Sequence, residues 1–241
     1  MLIKGFAVVA GRKRLFLLGV FVLAAMLGVV TQSRRWESWL PAFAVTLAFI
    51  VLMLALSLLA TRHYHPAVLF VRPQPPAFAT AVSLSRVFTA AAFILLGGGL
   101  VGESVADIVH GEEFWYLEAG TAALMVLAVA LHLYVALGSF GVRLEAAGLH
   151  DRQPFSSLFI PWEAFAPGYP AVPANTGLLT LYYERPDLIR RRGLRQPIES
   201  LPTATDATYL AAVIQQYVAS PEHRPAIGTE AELRRLATLA T

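Results

Sequence analysis

The group of side chains best able to hold a charged ligand is Arg190-Arg191-Arg192 with Arg195. Carried on a short hairpin, such a cluster faces anionic lipid headgroups at about 1 kcal/mol per arginine, or binds a partner, or simply guards a strand edge against pairing. A second group is Asp107-x-x-His110 with Glu113. Its i, i+3 spacing puts Asp107 and His110 on one helix face, a donor set suited to a divalent cation. The same residues also read as an ordinary acidic loop. His132 is a titratable group inside an apolar stretch. Function is the default hypothesis for such a residue, but a proton relay needs a carboxylate partner that the stretch does not offer.

Other patterns carry less. His63-Tyr64-His65 has no Asp or Glu between Thr61 and Gly102 to complete a metal set. Gly97-Gly98-Gly99-Leu100-Val101-Gly102 spells G-x-G-x-x-G, yet it lies in an apolar run and not at a strand-to-helix turn. No nucleophile elbow, P-loop or zincin motif occurs. The chain has no Cys, which excludes disulfides, thiolate metal sites and cysteine nucleophiles. The expectation is no catalytic residue and no cofactor.

The elements that must position these residues are mostly apolar helices. Hydrophobic residues make up 56% of the chain and charged ones only 15%. Leu15–Ser33, Ser38–Thr61 and Ala119–Val142 hold no charged side chain. Each approaches or exceeds the roughly 20 residues that a helix needs to cross a bilayer. A fourth stretch is interrupted by Arg86. A helix beginning near Ala77, after the stiffening Pro73, Pro75 and Pro76, would bury Arg86 about 15 Å deep if the bilayer began at Pro76. The less costly placement has Arg86 snorkelling at the interface and Val87–Gly102 crossing. The first span follows Arg12-Lys13-Arg14 and is too long for a signal-peptide core, so it is expected to be retained.

The expected organisation is a four-helix membrane domain over 1–140, with spans near 15–32, 39–60, 80–102 and 117–140. Lys4, Arg12, Lys13, Arg14, Arg62, Arg72 and Arg86 fall on one side, whereas the other holds only Arg34 and Arg35. The positive-inside rule therefore places the N-terminus and the C-terminal domain in the cytoplasm of a cell membrane crossed several times. Ala24-x-x-x-Gly28, and the stripe of Ala128, His132 and Ala136, are candidates for close helix packing or self-association into a homo-oligomer. The net charge of +3 reflects this topology and not a nucleic-acid stripe.

After Arg143 the texture changes to short alternating segments broken by turns. Val142–Ala146, Leu149–Phe155, Ser157–Phe165, Gly177–Tyr183 and Leu188–Ile198 read as strands, with a Pro-marked loop at Pro167–Pro173. Leu210, Val213, Ile214, Tyr217 and Val218 then recur at helical spacing, with Thr205 or Asp206 as cap and Ser220-Pro221 as stop. Thr229-x-x-Glu232 is a capping box for a last short helix or tail over 229–241.

Leu144-Glu-Ala-Ala-Gly148-Leu149, Ile160-Pro161-Trp162 and the closing helix leading to Tyr217 and Pro221-Glu222-His223-Arg224 resemble bacterial pleckstrin-homology-like domains. These occur attached to membrane spans in actinobacterial-type proteins of unassigned function. The resemblance implies a small α+β cytoplasmic domain over 141–228, a bent β-barrel capped by its C-terminal helix, with no catalytic residues. The expected function is a non-enzymatic interaction protein whose partners are the bilayer, anionic headgroups, or another membrane or cytoplasmic protein. The rival class is a membrane enzyme or transporter using Asp107, His110 and Glu113, or His132.

Overall fold

The computed structural model describes residues 2–33, 39–110, 115–193 and 199–237. The chain divides into two compact units. One comprises Met1–His63 and Ser83–Gly138, the other Tyr64–Val82 and Ser139–Thr241.

The first unit is helical: α1 (Leu2–Gly11), α2 (Lys13–Ser33), α3 (Trp39–His63), α4 (Leu84–His110) and α5 (Trp115–Leu137). Among the described residues, Phe43–His63, Leu84–Val101 and Tyr116–Leu137 are long and apolar enough to cross a membrane. Half of the α4 stretch is buried within the unit, against 11% of α3 and 6% of α5, so α4 is the centre on which α2, α3 and α5 pack. The outer helices leave Leu58, Leu124 and Leu127 well exposed, an apolar surface that suits lipid better than water. Backbone closeness around α4 rests on missing side chains. A Cβ at Gly98 would stand 2.9 Å from the Cβ of Ala24, and one at Gly28 would stand 3.3 Å from the Gly98 carbonyl. The triple glycine therefore does not break α4: Gly98 admits α2, and Gly97 lies against Val129 and Met125 of α5.

The second unit holds two antiparallel sheets. The larger has the order β1 (Leu69–Pro73), β2 (Pro76–Thr80), β3 (Gly141–Glu145), β4 (Gly148–Gln153), β5 (Ser156–Pro161) and β8 (Arg190–Gly193). The smaller comprises β6 (Ala171–Asn175), β7 (Leu178–Leu181) and β9 (Ser200–Pro202). Residues of both sheets join α6 (Ala207–Ala219) and α7 (Glu230–Ala237) in one core, including Phe78, Leu144, Ile160, Trp162, Leu179 and Leu236. The Asp206 carboxylate caps α6 by accepting from the Tyr209 amide at 2.9 Å. The α6 stripe buries Leu210, Val213, Ile214 and Tyr217, and Tyr217 meets Trp162 with ring centroids 5.6 Å apart.

Several expectations are corrected. The helix expected to begin between Ala77 and residue 80 begins at Leu84, so Arg86 is its third residue. The prolines before it do not merely stiffen a loop. They make the turn of a hairpin, Pro73 ending β1 and Pro76 opening β2, and β2 pairs with β3, Phe78 opposite Leu144 and Ala79 opposite Arg143. The sheet unit is thus not confined to 141–228: it takes residues 64–82 from upstream and α7 from downstream, with Leu69, Phe78 and Leu236 in its core. Pro173 lies in β6, a strand of three in which proline sits on an edge. The capping box is half made. Thr229 Oγ1 accepts from the Glu232 amide at 3.2 Å, but the Glu232 carboxylate is engaged by Tyr217 and Arg235.

Candidate basic face on the larger sheet

Strand alternation sorts this sheet into two faces. Val142, Leu144, Leu149, Leu158 and Ile160 point to the core and are fully buried. Arg143, His150, Arg152, Ser157 and Phe159 therefore take the other face. Register aligns them across strands: Arg143, His150, Phe159 and Arg190 form one row, and Gly141, Arg152, Ser157 and Arg192 the next. Arg72 lies on the same face of β1, because Phe70 opposite Ala79 continues the first row.

The face is held in place by short contacts. The Nη2 of Arg143 donates to the carbonyl and the hydroxyl of Ser139, both at 2.9 Å. The Arg152 guanidinium lies over the Phe140 ring, 5.7 Å from its centroid. Burial, then the charges of Arg72 and Arg152, push the Arg143 guanidinium below its ordinary value, with Glu145 acting in the opposite direction. Burial is the larger cause, and the two neighbouring guanidinium groups act in the same direction. Among the described residues neither Arg190 nor Arg192 has a carboxylate at ion-pair distance. Glu145 is the acid of this face and stands 3.9 Å from His150.

The rows border an open surface depression of about 320 Å³ at the β4–β5 hairpin, lined by Arg143, His150, Arg152, Gln153, Phe155, Ser156, Ser157 and Arg192. Gly193, at φ +80°, lets the end of β8 approach the Phe155 carbonyl, where a Cβ would collide. Behind the face, Asp151 is fully buried and accepts from the Gln153 amide at 3.1 Å.

Of the arginines singled out in the sequence, Arg190 and Arg192 join this face. Arg191 pairs with Leu158, whose side chain points to the core side, so Arg191 faces the opposite way. Arg195 lies outside the described residues. Sequence reasoning missed Arg143 and Arg152 as members. The alternation around each was visible, but nothing local revealed that β8, some thirty residues further on, would pair with β5.

The remaining candidates fall elsewhere. The backbones of Asp107 and His110 lie in α4, while their side chains and Glu113 are outside the described residues. Among the described residues no cluster of three metal-ligating side chains occurs. In the helical unit His132 stacks on Phe93, centroids 3.8 Å apart, and its Nδ1 is 2.8 Å from the Ala128 carbonyl one turn back. Ala24 and Ala136 are buried there, and the Lys13 ammonium donates to the Ala136 carbonyl at 2.9 Å. In the sheet unit His65 sits where a Cβ on Gly177 would collide with its Nε2, and burial lowers its pKa.

Comparison with family models, curated proteins and solved structures returns no match to this chain.

Proposed function

We propose that this is a non-enzymatic interaction protein of the cell membrane, whose sheet unit contacts anionic lipid headgroups through its basic face. In this reading α2 is a fourth span beside α3, α4 and α5. The N-terminus and the sheet unit are cytoplasmic, as the distribution of Lys and Arg supports. The sheet unit is a pleckstrin-homology-like domain; the meander β3–β4–β5, the smaller sheet and the closing helix α6 support that assignment.

The observation that carries the proposal is the alignment of Arg143, Arg152, Arg190 and Arg192 on one side of one sheet. Arginines so placed add their fields at a common surface, and an anionic bilayer is the partner that rewards such addition. The test uses the purified full chain in neutral maltoside micelles doped with phosphatidylglycerol. The thermal midpoint should rise with anionic lipid at low salt and lose that rise at high salt, where screening shortens the field. The triple variant Arg190→Ser, Arg191→Ser, Arg192→Ser should show a markedly smaller rise. A parent protein indifferent to anionic lipid at low salt would overturn the proposal.

A further inference from the structure

The pocket between β3, β4, β5 and β8 has a more specific chemistry than a diffuse positive surface. Neighbouring strands stand about 4.8 Å apart, so the backbones of Arg152 and Arg192, on either side of Ser157, are separated by roughly 10 Å. Arg152 and Arg192 both line the pocket, and the Arg152 guanidinium, now over the Phe140 ring, swings from it to meet a tetrahedral anion seated above the Ser157 hydroxyl. Arg143 enters from the adjoining row. Its bonds to Ser139 use Nη2 alone, which leaves Nε and Nη1 as donors directed by an already fixed guanidinium. Ser157, in the same row as Arg152 and Arg192, adds a hydroxyl donor at the floor. Phe155, 72% exposed at the tip of the hairpin, gives the border an apolar wall.

Count the donors against candidate anions. A phosphate diester carries one charge and two terminal oxygens, fewer than three guanidinium forks and the Ser157 hydroxyl can serve. A phosphate monoester carries nearly two charges and three terminal oxygens, which bidentate arginines bind with short charge-assisted bonds. The organic group of the ester would then lie against Phe155. Carboxylates, with a flat pair of oxygens and one charge, match the arrangement less well. We infer that this pocket is a binding site for a terminal phosphate group, one phosphate monoester held by Arg143, Arg152, Arg192 and Ser157. The inference rests on the proposal that this sheet face meets anionic ligands, and it narrows that proposal to one discrete seat and one class of anion.

The two can fail separately because Arg191 and Arg192 carry the same charge on opposite faces of β8. The experiment titrates the full chain in neutral micelles with glycerol 3-phosphate, and the full chain in nanodiscs with phosphatidate or phosphatidylglycerol as the anionic lipid. Saturable binding of the monoester is expected, with Arg192→Ser and Arg152→Ser each weakening it by about tenfold or more, as loss of a charge-assisted bidentate contact does. Arg191→Ser should change it by no more than about twofold, the residue of a screened long-range field. All three positions are exposed, so unchanged circular dichroism melting is expected of the variants. Glycerol 3-phosphate binding in micelles identifies a site open to free phosphate esters. The same Arg192-against-Arg191 contrast seen only with phosphatidate nanodiscs assigns the phosphate to a lipid headgroup. Equal losses in Arg191→Ser and Arg192→Ser, or no preference for phosphatidate over phosphatidylglycerol, overturn the pocket and leave the basic surface standing. Indifference of the parent to every anion overturns both.

Discussion

The Tyr217 hydroxyl donates to Oε1 of Glu232 at 2.9 Å, tying α6 to α7 in the core of the sheet unit. Glu232 is only 5% exposed and also accepts from the Arg235 guanidinium at 2.6 and 2.9 Å. These bonds make α7 part of the domain and not a tail beyond it. Burial pushes the Tyr217 phenol up, and the hydrogen bonds from Arg235 hold the Glu232 carboxyl below its ordinary range against the opposing effect of its own burial.

A pH dependence follows with a definite sign. A carboxyl held low in the folded state takes up a proton later than it does in the unfolded chain. Its stabilisation is complete above the ordinary carboxylate pKa and is lost as pH falls through the depressed folded value. Glu232→Gln should therefore cost about 1–3 kcal/mol at neutral pH, through an imperfectly satisfied buried site. The gap between parent and variant should close as the medium is acidified. Thermal midpoints measured against pH check this; a gap that widens in acid would contradict it.

Phe78 tests whether the hairpin upstream of α4 belongs to the sheet unit. It is fully buried opposite Leu144. Phe78→Ala should cost about 3–5 kcal/mol, as large-to-small changes in a closed core do. A fragment running from 143 to 229 lacks Leu69, Phe78, Val142 and Leu236, four members of the core. It should give an unfolded circular dichroism spectrum, and a cooperative β-rich melt of that fragment would show that the hairpin is dispensable.

Gly98 and Gly99 are neighbours in α4 with opposite surroundings. A side chain at Gly98 meets Ala24, whereas a Cβ at Gly99 meets nothing within 4 Å. Gly98→Val should lower the stability of the helical unit by about 1–3 kcal/mol through overpacking. Gly99→Ala should leave it unchanged or slightly raised. Thermal unfolding in detergent of the two variants decides the matter, and equal effects would argue against a tight α2–α4 crossing.

The orientation proposed from Lys and Arg is open to single-cysteine labelling, since the chain has no native Cys. With a cytoplasmic N-terminus and sheet unit, a Cys at position 111 reacts with an impermeant reagent in intact cells. One in place of Asn175, in β6, reacts only after lysis. The reverse pattern would invert the topology.

What the sequence by itself determined is what local composition and short-range period control. Long uncharged runs make helices of α2, α3 and α5, because a helix satisfies its backbone polar groups within the segment. The period of Leu210, Val213, Ile214 and Tyr217 marks the buried face of α6 for the same reason: the contacts that define a helix lie three and four residues apart. The sheet was only half legible. Alternation located β3, β4 and β5, but Leu69–Pro73 and Pro76–Thr80 read as an approach to a helix, since proline is a poor sign of a strand and β3, which joins β2 to the sheet, lies some sixty residues away. The basic face was decided in the same way. Arg190 and Arg192 were conspicuous as a run, yet only the pairing of β8 with β5 sets them beside Arg152 and Arg143, and turns Arg191 away. Strand pairing joins residues without regard to their separation in the chain, so which charges share a surface is a property of the tertiary structure alone.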